Sequence, residues 1–255
     1  MSDYDRYANA RVGAGLAGSP AAIDQGLRSY MLGVYNYMTL GLGLTGVVAF
    51  FAYKLGVVES ASGHILSLTD FGQAIYVSPL RWVIMLAPLA LVIGISAGRN
   101  AMSAGTTRLI FLAFAALMGL SLSTIFVVFT QASIALVFFE TAAAFGALSL
   151  YGYTTSRSLS AMGSFMVMGL FGLIIASVVN LFLHSTGLQW ALSVVGIIVF
   201  AGLTAWDTQA IKQSYFAGDA HEASEKKAIF GALRLYLDFV NMFQQLLFLF
   251  GGRRN

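Results

Sequence analysis

The chain has 255 residues, of which 58% are hydrophobic and only 10% charged, with a net charge of +3. A soluble domain is about 45–50% apolar and about 25% charged, so a chain this apolar has too little polar surface to face water, and its composition is that of an integral membrane protein. Having no cysteine, it can form no disulfide, thiolate nucleophile, zinc–thiolate site or iron–sulfur cluster. Its few basic residues lie in short loops and termini and form no stripe, which argues against nucleic acid as a partner.

A membrane helix takes about 20 mostly apolar residues, because the hydrocarbon core is about 30 Å thick and a helix rises about 1.5 Å per residue. The chain begins with a polar, Gly-rich tail, 1–28, and shows no cleavable signal peptide. A membrane domain is predicted over 29–251, followed by a short C-terminal tail, 252–255. Seven segments in that domain meet or approach the length rule: 30–53, 82–97, 109–129, 134–151, 165–183, 191–211 and 229–250. The fold class expected is all-α, a polytopic bundle of seven transmembrane helices. The second segment is the weakest. It extends back past Arg81, whose long side chain can reach the interface, and Pro88 should kink it. Tyr30, Tyr53, Trp82 and Trp190 stand near segment ends, as an aromatic belt would. The first connection, 54–81, reads as short and polar. The sixth, "KQSYFAGDAHEASEKKA", is charged and should be flexible.

Lys and Arg in short loops set orientation. If the segments alternate, Arg6, Arg11, Arg28, Arg99, Arg108, Arg157, Lys212, Lys226 and Lys227 share one side, against Lys54 and Arg81 on the other. The basic side should be cytoplasmic, which places the N-terminus inside. Arg253 and Arg254 in "GGRRN" break the pattern. Either they lie outside after a full seventh span, or the last segment re-enters.

Several motifs read as decoys. "GLGLTG", 41–46, matches the dinucleotide-binding glycine pattern, but it sits inside an apolar helix and not between a strand and a helix. Close packing of small residues explains it. "HE" at His221–Glu222 lacks the second histidine of a zinc protease. His64, His184 and His221 are far apart and fall in predicted loops. Ser121, Ser123, Thr124, Ser177 and Asn180 read as packing and interhelical hydrogen-bonding groups.

Two acids carry the functional signal: Asp207 in "LTAWDTQ" and Asp238 in "LYLDFVNMF". A charge at the bilayer centre costs about 2.5–3.5 kcal/mol or more, and such residues face the bundle interior and mark ion or proton paths. The last two segments are antiparallel neighbours, which places both acids in the cytoplasmic half, offset by several Å along the axis. Arg234, Asp238, Asn241 and Gln245 share one helix face, as do Thr204, Asp207, Thr208 and Ile211. If the carboxyls meet, they hold one proton between them. A shared proton ties the two helices together, and full ionisation parts them and frees oxygens for a cation. The plainer arrangement pairs Asp238 with Arg234 one turn away and leaves Asp207 in interfacial water.

"GLTAWDTQ" followed by "GALRLYLDFVNMFQQLL" resembles the closing signature of the Bax inhibitor-1 family, the transmembrane BAX inhibitor motif proteins. "YMLGVYNYMTLGLGLTG", "LMGLSLSTIFVVF" and "AFGALSLYGYTT" are similar to its bacterial inner-membrane branch. The resemblance implies a seven-helix bundle with the last helix central. It also implies a pH-sensitive calcium leak whose sensor is an aspartate pair, at positions matched here by Asp207 and Asp238. Some relatives carry an acidic and a basic residue within the second helix. This chain has none there and only Arg99 near its end, so their gating is not carried over. The branch also implies a regulatory alternative, restraint of a membrane protease.

The function expected is a passive, proton-gated cation leak in the bacterial inner membrane, with Ca2+ and protons as its ligands and no cofactor. Asp207 and Asp238 would hold Ca2+ weakly and in passing, helped by Arg234, Asn241, Gln245, Thr204 and Thr208. Two membrane aspartates also describe an intramembrane aspartyl protease. The second acid here sits in "LYLD" and not in Gly-x-Gly-Asp, and no proline follows Pro88, so no enzyme is expected.

Overall fold

The computed structural model describes residues 20–60, 64–98 and 102–254. Arg6, Arg11 and Arg99 lie outside these. The first helix, α1 (Pro20–Gly56), opens on a proline, whose missing N–H costs nothing in a first turn. Its 37 residues reach well ahead of the apolar run that begins near Tyr30.

The first connection is more than a loop. Strands β1 (Val57–Glu59) and β2 (Ile65–Leu68) pair antiparallel. A short helix, α2 (Asp70–Gly72), follows; its first turn is capped by the Thr69 hydroxyl, which accepts from the Gly72 N–H. It continues as a π-helical turn, Gln73–Val77. The chain then bends by 61° into α3 (Leu80–Gly98). That bend sits at Ser78, which is extended because Pro79 follows it; Pro88 lies within α3.

Next come α4 (Ala104–Leu122) and α5 (Thr124–Val128), parted at Ser123, whose hydroxyl donates back to the Leu120 carbonyl. Phe129 and Thr130 are extended, so α6 (Gln131–Thr154) starts as a separate helix. Beyond it lie α7 (Ser160–Leu183), ended by His184 in the left-handed region at φ 49°, α8 (Thr186–Gln213) and α9 (His221–Phe250). The sixth connection shrinks to residues 214–220 because its charged half starts α9. Lys227 ties it down, donating to Asp219 at 2.6 Å and to the Ser214 carbonyl at 3.1 Å.

Among the described residues, five helices are long and apolar enough to cross a membrane, and the bent α2–α3 pair makes a sixth if it is one span. On composition α9 does not join them. It runs through the middle of the bundle, packed by α8, α1, α6 and α4, and a sheathed helix need not be apolar. Outside, α3 leans on α4 and α7 on α8; α7 turns Phe165, Met168, Phe171, Ile175 and Phe182 outward, as a lipid-facing helix should. Trp82 and Trp190 are exposed as a belt requires, but Tyr30 and Tyr53 are buried inside the bundle.

The C-terminal residues dock at the end of the bundle opposite the 214–220 turn, so α9 does not fold back. The Thr130 N–H donates to the Gly252 carbonyl at 3.0 Å and the Arg254 N–H to the Val128 carbonyl at 2.9 Å. The Arg254 guanidinium donates to Glu59 at 2.9 Å and to the Tyr53 hydroxyl. Arg254 is thus ion-paired where it stands, sharing Glu59 with Lys54. Hydrogen bonds from Lys54, Tyr53 and Arg254 hold the Glu59 carboxyl down to about 2, from 4.5. A lowered carboxyl stabilises above its ordinary value and loses that contribution as pH falls through the lowered one, so this clasp stays shut at neutral pH. Glu59→Gln should accelerate amide exchange at Arg254 by about tenfold or more, since a hydrogen bond to a charged group contributes about 1.5–3 kcal/mol. Unchanged exchange would mean the backbone contacts alone hold the tail.

Candidate functional site: a buried carboxyl pair between α8 and α9

The helices α8 and α9 are antiparallel neighbours. Gly231 meets Ile211 and Gly196 meets Gln245, a register that sets Arg234 across from Asp207 and Asp238 one turn further along. Side chains on a helix lean toward its N-terminus, and these two helices run in opposite directions. Asp207 and Asp238 therefore lean toward one another along the axis, and the expected offset closes. Their carboxyls are neighbours across the α8–α9 contact. Both are buried, Asp238 at 5% exposure and Asp207 at 8%. The plainer arrangement, Arg234 on Asp238, is not what forms: Arg234 Nη1 donates to Asp207 Oδ1 at 3.4 Å.

Two carboxyls can share a hydrogen bond only if one is protonated. With one proton held, the two buried acids and the exposed Arg234 beside them sum to zero charge. Asp238 Oδ2 has no hydrogen-bond partner, and the one other such buried side-chain atom among the described residues is Gln245 Oε1. It sits two turns along the same helix, about 10 Å away by helical rise.

The backbone around Asp207 is set by close approach. A Cβ on Gly152 would lie 2.1 Å from the Ala205 carbonyl oxygen, and one on Gly163 would lie inside the Trp206 ring at 2.3 Å. Glycines of α6 and α7 thus let both helices press on the turn that carries the acid.

The supporting stripe behaves less uniformly than expected. Thr204 and Thr208 are fully buried, and their hydroxyls donate to the carbonyls four residues back, at 2.7 and 2.8 Å. Thr208 faces α6, not the acids. Since its proton is spent, Ser149 donates to it at 3.0 Å and Tyr35 donates to Ser149 at 2.5 Å. Asn241 donates to its own helix, at the Leu237 carbonyl, 2.8 Å. Of the supporting groups, Arg234 touches the pair and Gln245 leaves an acceptor open beyond it.

The sequence reading passed over Tyr236 and Glu140. Tyr236 is fully buried between Phe111 and Phe114, and its hydroxyl meets Thr45 at 2.7 Å, joining α9 to α1 and α4; an ordinary aromatic in an apolar run gave no signal. Glu140 did give one, a charge in "VFFETAAAF". It lies well inside α6 on the outer face, beside Phe250, with no ion pair among the described residues. Among the decoys, Glu222 accepts the Ala104 N–H at 3.2 Å and so caps α4. No group of three or more His, Asp or Glu that could hold a metal occurs among the described residues.

The chain matches known proteins over nearly its whole length. The family described as inhibitor of apoptosis-promoting Bax1 matches residues 27–255. A protein of Rickettsia prowazekii is 46% identical over 91% of this chain and 93% of its own length. The inner membrane protein YbhL of Escherichia coli K12 is 46% identical over 90% of this chain and 94% of its own. A membrane protein of Streptococcus pyogenes is 31% identical over 89% and 94%. With a match across nearly its whole length and an α-helical bundle built for the membrane, the chain belongs to the Bax inhibitor-1 family.

Proposed function

We propose that the protein is a passive cation leak of the bacterial inner membrane, gated by the proton shared between Asp207 and Asp238, with calcium as its cargo. The observation that carries this reading is the burial of two carboxyls as neighbours on antiparallel helices. With the proton in place the cluster is neutral and ties α8 to α9. Without it the cluster is net negative, the carboxylates repel, and a cation is the natural replacement for the lost charge. The open acceptors of Asp238 and Gln245 follow one another along α9, which suits a path. Calcium takes about six to eight oxygens, and the cluster offers few. Such loose binding suits an ion that must leave again. No step of the reading is catalytic.

Orientation follows from the basic end. Arg28, Arg108, Arg157, Lys212, Lys226 and Lys227 gather there, where Arg108 lies 3.9 Å from Glu225 and Lys212 donates to the Tyr153 carbonyl at 2.7 Å. That end is the cytoplasmic one, the N-terminus is inside, and α9 is the seventh crossing. YbhL, an inner membrane protein by name, supports the location.

The test is calcium flux from proteoliposomes across about pH 5 to 8, a range bracketing perturbed carboxyls, beside the Asp207→Asn, Asp238→Asn double variant. The wild type should conduct with a pH dependence that the double variant lacks. If neither conducts, the leak is refuted and restraint of a membrane protease becomes the reading to pursue.

A further inference from the structure

A groove of about 1050 Å³ runs along the outside of the bundle between α1 and α6, which both rest on α9. Its walls are almost wholly apolar. Two glycines of "GLGLTG", Gly43 and Gly46, line one wall and Gly146 the other. A Cβ at any of the three would meet nothing within 4 Å. These are not packing glycines; of that motif only Gly41 packs, against Phe111 and Tyr236. The floor is Phe239, the residue after Asp238.

Length and charge say what fills it. From Arg28 to Val47 the α1 wall is about 28 Å by helical rise, close to the hydrocarbon thickness of about 30 Å. The groove is therefore long enough for an acyl chain entering from one leaflet. Arg28 stands at the cytoplasmic mouth, exposed and without an ion pair among the described residues. Lys212 stands behind the mouth, outside the groove's lining, its ammonium 4.9 Å from the ring of Tyr153, which lines it. No acid lines the groove. An apolar trough with Arg28 in its mouth and Lys212 behind Tyr153 matches a molecule with an apolar tail and an anionic head. A groove facing lipid does not stay empty, because acyl chains are its solvent.

We infer that this groove is a binding site for an anionic phospholipid, with one acyl chain between α1 and α6 and the phosphate at Arg28 and Lys212. The site does not depend on ion conduction. Its lining nevertheless touches both helices that carry the acids, α8 through Tyr35, Ser149 and Thr208 and α9 through Phe239, so occupancy bears on the same two helices.

The experiment uses the full chain in detergent with equal phosphatidylglycerol and phosphatidylcholine, read by native mass spectrometry. One phosphatidylglycerol should stay bound per chain. Arg28→Gln should lower its preference over phosphatidylcholine by about fivefold, the effect of one basic residue near an anionic headgroup. Gly43→Leu and Gly146→Leu fill the groove from opposite walls and should each lower retention of both lipids. A phosphatidylglycerol with a diazirine on its acyl chain, applied to the wild type, covers the case in which a filled variant fails to fold. Its label should concentrate in peptides 31–47 and 138–150. Label spread evenly over α3 and α7, a chain-to-chain crosslink in place of lipid label, or equal retention by folded filled variants would each overturn the site.

Discussion

Asp238→Asn is expected to hold calcium flux at one value across about pH 5 to 8. Asparagine keeps the volume of the buried side chain, and its amide donates where a protonated carboxyl would. It should keep α8 tied to α9 at every pH, so that flux stays at the level the wild type shows in its proton-bound state. Asp238→Ala separates the hydrogen bond from the proton. It leaves Asp207 with Arg234 at 3.4 Å and nothing on α9 to hold, so its flux should also lose pH dependence but settle at a different level. A buried hydrogen bond to a charged group contributes about 1.5–3 kcal/mol, enough to separate the two variants by a factor of ten or more. An unaltered pH profile in Asp238→Asn would move the sensor elsewhere, and Glu140, the other acid deep inside a span, would be the first place to look. The Glu59 clasp is not a rival, because it stays shut down to a pH near 2.

Much of this arrangement was legible in the sequence, and the part that was not has physical causes. Five spans, or six with the bent α2–α3 pair, were legible because an apolar run of the right length has few other uses, and the two acids because a charge inside such a run is costly. Their meeting was legible only as a condition, since sequence spacing gives an axial offset but not lean. Register explains the wrong partner offered for Arg234. Residues four apart on one helix are neighbours, yet the pairing of α8 with α9 sets Arg234 directly across from Asp207.

The hairpin and the α2 turn escaped because short polar segments carry no periodicity to read. Tyr53 was placed in a belt by its position near a segment end. It is buried because Arg254, far away in the chain, stacks 5.4 Å from its ring centroid. Thr204 and Thr208 shared a face with Asp207 on a helical wheel, but a hydroxyl on a helix can bond its own backbone, and both do. The glycines of "GLGLTG" were read as packing residues, but small residues can mark either a tight contact or a groove, and only the neighbouring helix decides which.

Gly152→Ala is expected to be among the most destabilising single methyl additions in the chain. The added Cβ would sit 2.1 Å from the Ala205 carbonyl oxygen, 2.9 Å from its carbon and 3.0 Å from its Cα. All three are backbone atoms of α8, so no side chain can turn aside. A carbon and a carbonyl oxygen rest at about 3.3–3.6 Å, and α6 and α8 must move apart by about 1 Å to restore that. Overpacking of this kind costs about 1–3 kcal/mol. The apparent melting temperature in detergent should fall by several degrees. Gly146→Ala on the same helix is the control: its Cβ meets open space, and the gain in helix propensity, about 0.5–1 kcal/mol, should leave that variant as stable as the wild type or more so. Equal melting temperatures for the two would show that the α6–α8 contact yields without cost. Because Ala205 is two residues from Asp207, a Gly152→Ala protein that does fold carries a displaced acid. Its flux should then lose pH dependence with both aspartates still present, the outcome expected if it is their contact, and not their charge alone, that senses the proton.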